Sequence, residues 1–158
     1  RQIAPVTAIQ EQGNHDTITS GALASVCFAW FRGCDDVEVL RPQLNDQTRD
    51  VRTYYQWHDI MIAGHHGHVT SPTQMPRIMA AERPRMWGET RHRYALLGHR
   101  HHSKRWPAGD HGGAEIIQTR SPSKETDYEA RLGFVGDPPG LEAFAFQAGR
   151  GLVGIRRA

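Results

Sequence analysis

Seven of the ten histidines in this 158-residue chain fall in three short clusters: Gly13-Asn14-His15-Asp16, Gly64-His65-His66-Gly67-His68 and Gly98-His99-Arg100-His101-His102. Neutral imidazole is the side chain that borderline divalent metals take most often, and glycine lets the backbone approach a cation closely. A single histidine is more often a packed or solvated residue than a ligand. Three clusters of one composition carry the case for a metal centre. His99 and His101 stand two residues apart, so on extended backbone both imidazoles project to one side and one segment can serve two neighbouring ions. Paired ions about 4 Å apart clamp the attacking and leaving oxygens of a displacement at phosphorus. Such a pair also needs a carboxylate, because neutral donors leave the repulsion between two dications uncompensated.

The elements that would position these clusters are legible around them. Each cluster follows an apolar stretch of strand character: "APVTAI" before Gly13, "DIMIAG" before the second cluster and "RYALL" before Gly98. Ligand groups collect at the carboxyl ends of strands in open α/β sheets. Ser20 is placed as the N-cap of a helix over "GALASVCFAWFRGC", with Leu23, Val26, Cys27, Trp30 and Phe31 as its apolar face and Gly33 as its stop. "VEVL", "VRTYYQW", "AEIIQT", "LEAFAF" and "LVGIRR" read as further strands, and "SKETDYEARLGF" as a short helix and turn. The stretch from Thr73 to Thr90 reads as a helix broken at Pro84.

Composition narrows the function classes. A net charge of +2 gives no whole-molecule field for nucleic acid, so any such case rests on the local run Arg83, Arg85, Arg91, Arg93, Arg100, Lys104 and Arg105. That run reads either as a solvated face or as a phosphate-contacting patch. Cys27 and Cys34 form neither a redox pair nor a zinc knuckle, which points to a reducing, cytoplasmic setting and away from structural zinc. No apolar run reaches the length of a membrane span, so no membrane partner is expected.

In order and spacing, "GNHD", an apolar strand into His66-Gly67, and Gly98-His99-Arg100-His101 resemble the calcineurin-like metallophosphoesterases. The tail "TDYEARLGFVG" is most similar to phage-encoded and bacterial members. The resemblance implies a four-layer α/β sandwich, two mixed sheets packed together with helices outside. It implies two divalent ions, Mn2+ first with Fe, Zn or Ni as alternatives. It implies that Asn14, His66 and His99 hold one ion and that His101 reaches the other. His15 would be the general acid beside the scissile phosphate, and Asp16 would orient its imidazole. His65, His68 and His102 are left as neighbours with a minor share in substrate contact. The activity implied is phosphoester hydrolysis by metal-bound hydroxide, phosphodiesters and nucleic acid favoured over phosphomonoesters, cyclic nucleotides and phosphoproteins.

The family's two earlier motifs, D-x-H and G-D-x-x-D, are absent from these 158 residues. They supply the remaining ligands of the first ion and the bridging aspartate. Residues 1–158 are therefore expected to be the carboxyl-terminal portion of a single domain that lacks its first βαβ portion, a poor catalyst alone. The alternative expectation is a non-catalytic scaffold or regulatory module of the same fold.

Overall fold

The computed structural model describes residues 6–9, 11, 19–34, 37–40, 44–45, 48–49, 52–100, 103–109, 112–122, 131 and 138–158. The chain divides into two compact units, residues 1–53 with 64–66, and residues 54–63 with 67–158.

The first unit is built on a βαβ crossover. Strand β1 (Val6–Ile9) pairs in parallel with β2 (Val37–Leu40), Val6 opposite Val37 and Ile9 opposite Leu40, and helix α1 (Thr19–Phe31) connects them. A two-residue antiparallel ladder, β3 (Leu44–Asn45) with β4 (Thr48–Arg49), follows. The helix begins one residue before the expected cap, so Ser20 lies inside it, and it ends at Phe31 rather than Gly33. The expected single apolar face is not what α1 buries. Val26 is 59% and Trp30 78% exposed, while Cys27 and Phe31 are half-buried. The cause is in the composition, since no residue from Thr19 to Phe31 is charged. A helix that is apolar all round has no polar face to turn outward, and a two-stranded sheet covers only part of it.

The second unit is organised by a five-stranded mixed sheet of order β5-β6-β7-β9-β8: β5 (Arg52–Trp57), β6 (Ile60–His65), β7 (His92–Leu97), β9 (Glu115–Gln118) and β8 (Lys104–Trp106). β5 and β6 form a hairpin in which His58 takes the positive φ (52°) of a tight two-residue turn. β6 and β7 run in the same direction. Arg91 and His92 N–H donate to Asp59 O at their starts (2.8 and 3.0 Å), and Gly67 meets Gly98 past their ends. β7 pairs in parallel with β9, and β8 closes the edge antiparallel to β9. The edge strand β8 was not foreseen from its sequence. Lys-Arg-Trp lacks apolar alternation, but charged residues suit an edge that must not recruit another strand.

Side chains alternate across this sheet. Met61, Ala63, Ala95, Leu97 and Ile116 point to one face and meet Met75 and Met79 of α2 (Met75–Glu82), with Met86 and Trp87 of α3 (Pro84–Glu89) at the border. The helix break falls at Arg83, one residue before Pro84, which opens α3 where its missing N–H costs nothing. Ile60, Tyr94 and Ile117 point to the opposite face, where Phe144, Phe146 and Leu152 of the hairpin β10 (Glu142–Gln147) and β11 (Gly151–Arg157) lie on them. Tyr94 Oη accepts from Leu152 N–H at 2.8 Å, and its ring tilts against Phe146. Gly151 (φ 73°) sits so close that any β-carbon there would strike Tyr94 Oη and the His92 ring. Helices, sheet and hairpin make three layers; the expected fourth is not among the described residues. No helix among the described residues is long and apolar enough to cross a membrane.

Candidate metal centre

The second histidine cluster and the Gly98-His99-Arg100 part of the third can be followed in the structure, and both leave the carboxyl ends of strands. β6 ends at His65, which is buried and follows Met61 and Ala63 on one side of the strand, and half-buried His66 comes next in the first unit. Gly67, in the second unit, has φ 99°, and a β-carbon on it would lie 3.2 Å from Gly98 O. Both its backbone angle and that contact call for glycine.

β7 ends at Leu97, and the turn beyond it is held from two sides. Thr119 donates to Leu97 O through its N–H (2.8 Å) and its hydroxyl (3.1 Å), using both acceptor sites of that carbonyl. Arg100 N–H donates to Gly98 O at 2.9 Å, closing a γ-turn around His99, whose φ is 70°. The extended backbone expected at Gly98-His99-Arg100-His101 is therefore corrected: His99 occupies the left-handed region. Its imidazole lies 6.0 Å from that of His68, the rings inclined at 61°.

His66 and His99 are thus each placed at a strand exit, within different units. Asn14, His15, Asp16 and His101 lie outside the described residues, as do His102 and most of "SKETDYEARLGF". Among the described residues, no group of three or more histidine, cysteine, aspartate or glutamate side chains comes together to hold a metal. By donor chemistry, imidazoles on glycine-flanked turns fit a borderline divalent cation, and His99 with His68 presents two of them from adjacent strand exits.

One residue near the clusters was not anticipated. Glu11, between the end of β1 and GNHD, places Oε1 on Thr53 of β5, which donates its N–H at 3.0 Å and its hydroxyl as well. A β-carbon on Gly64 would lie 2.6 Å from that oxygen and 2.9 Å from Thr53 Oγ1. Burial pushes the Glu11 carboxyl up to about 7, opposed by the Thr53 N–H and by the nearby charge of Arg52. The available signal was Gly64 itself, since glycine inside a strand often marks the close approach of another group.

Of the seven basic residues in the run from Arg83 to Arg105, at least five have internal work. Arg83 covers the Tyr54 ring at 4.8 Å, and Arg85 pairs with Glu89 at 2.8 Å. Arg93 stacks on Trp87 at 4.3 Å and donates to Trp87 O at 2.7 Å, capping the end of α3. Lys104 covers Trp106, and Arg105 pairs with Glu115. The run is mainly a set of caps, ring contacts and pairs.

Architecture and site together define a mixed α/β chain with histidine-bearing turns at the exits of adjacent parallel strands. The chain matches no protein-family model and no curated protein.

Proposed function

We propose that the chain carries part of the site of a metal-dependent phosphoesterase of the calcineurin-like type, acting on phosphodiesters, with a four-layer sandwich as its fold. The observation that carries this reading is the backbone of His99. A β-carbon in the left-handed region costs on the order of 1 kcal/mol that glycine would avoid, so the presence of histidine there argues for use of its side chain. The hairpin-covered face of the main sheet supports a second packed sheet.

Divalent ions, Mn2+ by preference, would polarise the phosphoryl oxygens and lower the pKa of water at such a site. Asn14 through its amide oxygen, His66 and His99 would hold one ion, and His101 would reach the other. His15 would donate a proton to the departing alcohol oxygen, and Asp16 would fix its tautomer and orientation. A second reading, a non-catalytic scaffold on the same fold, is favoured by one feature: neither D-x-H nor G-D-x-x-D occurs in these 158 residues.

Calorimetric titration of the chain with Mn2+ tests the site. Weak binding that is lost in His66→Ala and in His99→Ala is expected, and binding indifferent to both substitutions would overturn the proposal. Turnover of bis(p-nitrophenyl) phosphate separates the two readings. A slow rate abolished by His15→Ala supports the enzyme, and metal binding without any such rate supports the scaffold.

A further inference from the structure

Thr119 stands one residue beyond β9, and its two donors meet on a single atom. The parallel register sets Leu97 opposite Gln118, so the bond from Thr119 N–H to Leu97 O adds one rung to the β7–β9 ladder. Any residue except proline could supply that rung. The hydroxyl bond to the same oxygen is different in kind, because it lies outside the ladder and depends on the side chain. It fills the second acceptor site of a carbonyl that is already bonded.

Leu97 O belongs to the peptide that joins the sheet to the turn. The next peptide, between Gly98 and His99, presents its oxygen to Arg100 N–H at 2.9 Å, with Gly67 close beside it. The two peptide planes that flank Gly98 are thus each bonded, and His99 follows the second with φ 70°. Glycine is the most permissive residue of the backbone, so restraint on this segment has to come from groups that bond its neighbours. A side chain in the left-handed region persists where its surroundings over-determine it.

We propose that Thr119 is a positioning residue for His99: its hydroxyl, as the second donor on Leu97 O, fixes the peptide plane ahead of Gly98 so that the turn presents the imidazole in one orientation. The hydroxyl acts through the backbone rather than through a metal bond. Its effect on a metal rests on the reading of His99 as a ligand, but its hold on the turn does not. Groups that orient ligands from behind are worth roughly 10–100-fold in metal affinity in known centres, and one that works through the backbone belongs at the lower end.

Two measurements on the full 158-residue chain test it. Thr119→Val keeps the N–H and the branched shape and loses only the hydroxyl, whereas Thr119→Ser keeps the hydroxyl. The first measurement is amide hydrogen exchange at Arg100 without metal, relative to amides within β7. Thr119→Val is expected to raise it about fivefold, the worth of one ordinary hydrogen bond, and Thr119→Ser to leave it near wild type. The second is Mn2+ affinity, which Thr119→Val should weaken about tenfold and Thr119→Ser less than threefold.

Unchanged Arg100 exchange in Thr119→Val would overturn the inference outright. So would unchanged Mn2+ affinity in that variant where His99→Ala abolishes binding. Equal loss in Thr119→Ser and Thr119→Val would assign the effect to packing of the side chain and remove the hydroxyl from the account. Faster Arg100 exchange in Thr119→Val, with Mn2+ affinity indifferent to His99→Ala, would keep the hold on the turn and sink the metal reading. Should Thr119→Val fail to fold, Thr119→Ala decides by the same two readouts.

Discussion

The two units invest their apolar residues in opposite ways. In the second, a five-stranded sheet is covered on one face by α2 and α3 and on the other by the β10–β11 hairpin, so Ile60, Met61, Met75, Met79, Ile116 and Ile117 are buried completely or nearly so. In the first, a helix without a charged residue leaves Val26, Phe28 and Trp30 in contact with solvent, beside a sheet of two strands. The larger unit is thus held by layers on both sides of a sheet. In the smaller unit the described polar contact is that of Glu11 with Thr53.

The largest expected effect tests that contrast directly. Ile116→Ala removes a branched side chain from a closed layer and should cost about 2–5 kcal/mol. Trp30→Ala, which at a buried site would cost about 3–5 kcal/mol, should change stability by less than about 0.5 kcal/mol. Urea unfolding of both variants decides it. A loss above about 2 kcal/mol for Trp30→Ala would mean that α1 is covered in solution and would erase the difference between the units.

Next in size is a pH effect confined to the first unit. Burial raises the Glu11 carboxyl to about 7, so the folded state binds its proton more tightly than the unfolded chain does. The sign follows from linkage: this contribution is fully present below the unfolded carboxyl value of 4.5 and is lost as pH rises through about 7. The loss is on the order of 3 kcal/mol. Urea midpoints from pH 4 to 8 should fall in wild type and stay flat over that interval in Glu11→Gln. A parallel decline in the variant would assign the slope to another group.

A smaller effect probes the layer under the hairpin. Tyr94→Phe removes the acceptor of Leu152 N–H and leaves that donor without its bond, at a cost of about 1–2 kcal/mol. The fall in thermal midpoint should come with faster amide exchange at Leu152. Unchanged exchange there would show that the hairpin is held by its apolar contacts alone.

Legibility in the sequence followed the same division. The strands β6, β7 and β9 and the break before Pro84 could be read because apolar alternation and a fixed proline φ act locally. The apolar run of α1 read as helix correctly, but which side it buries depends on what lies against it, and no local pattern carries that. At the site, the glycine-flanked histidines marked strand exits, as His66 and His99 are placed. The left-handed turn at His99 was hidden, because the groups around it, Thr119 bonded to Leu97 O and Gly67 leaving room for Gly98 O, are 22 and 31 residues away in the chain. Glu11 was hidden for the same reason: its partners are 42 and 53 residues further on.

The smallest expected effect completes the comparison by reversing its sign. Asp59 lies in the β5–β6 turn of the second unit, where Gly149 N–H donates to Oδ1 at 3.0 Å and His92 Nε2 stands 3.7 Å from Oδ2. The Gly149 bond is the main reason the carboxyl is held below its usual range, with the charges of His92 and Arg91 assisting. A depressed carboxyl stabilises the folded state above the unfolded value near 4, and that contribution disappears as pH falls through the folded value. Acid should therefore loosen the second unit where it strengthens the first. Asp59→Asn keeps an oxygen for Gly149 N–H but loses the charge, so stability below pH 4 should vary less with pH than in wild type. Since the group is exposed, the change will be slight, and amide exchange at Gly149 followed from pH 5 to pH 3 is the sensitive readout. Equal acid sensitivity of Gly149 in wild type and Asp59→Asn would show that the turn is held by its backbone bonds to Arg91 and His92 and owes nothing to the carboxylate charge.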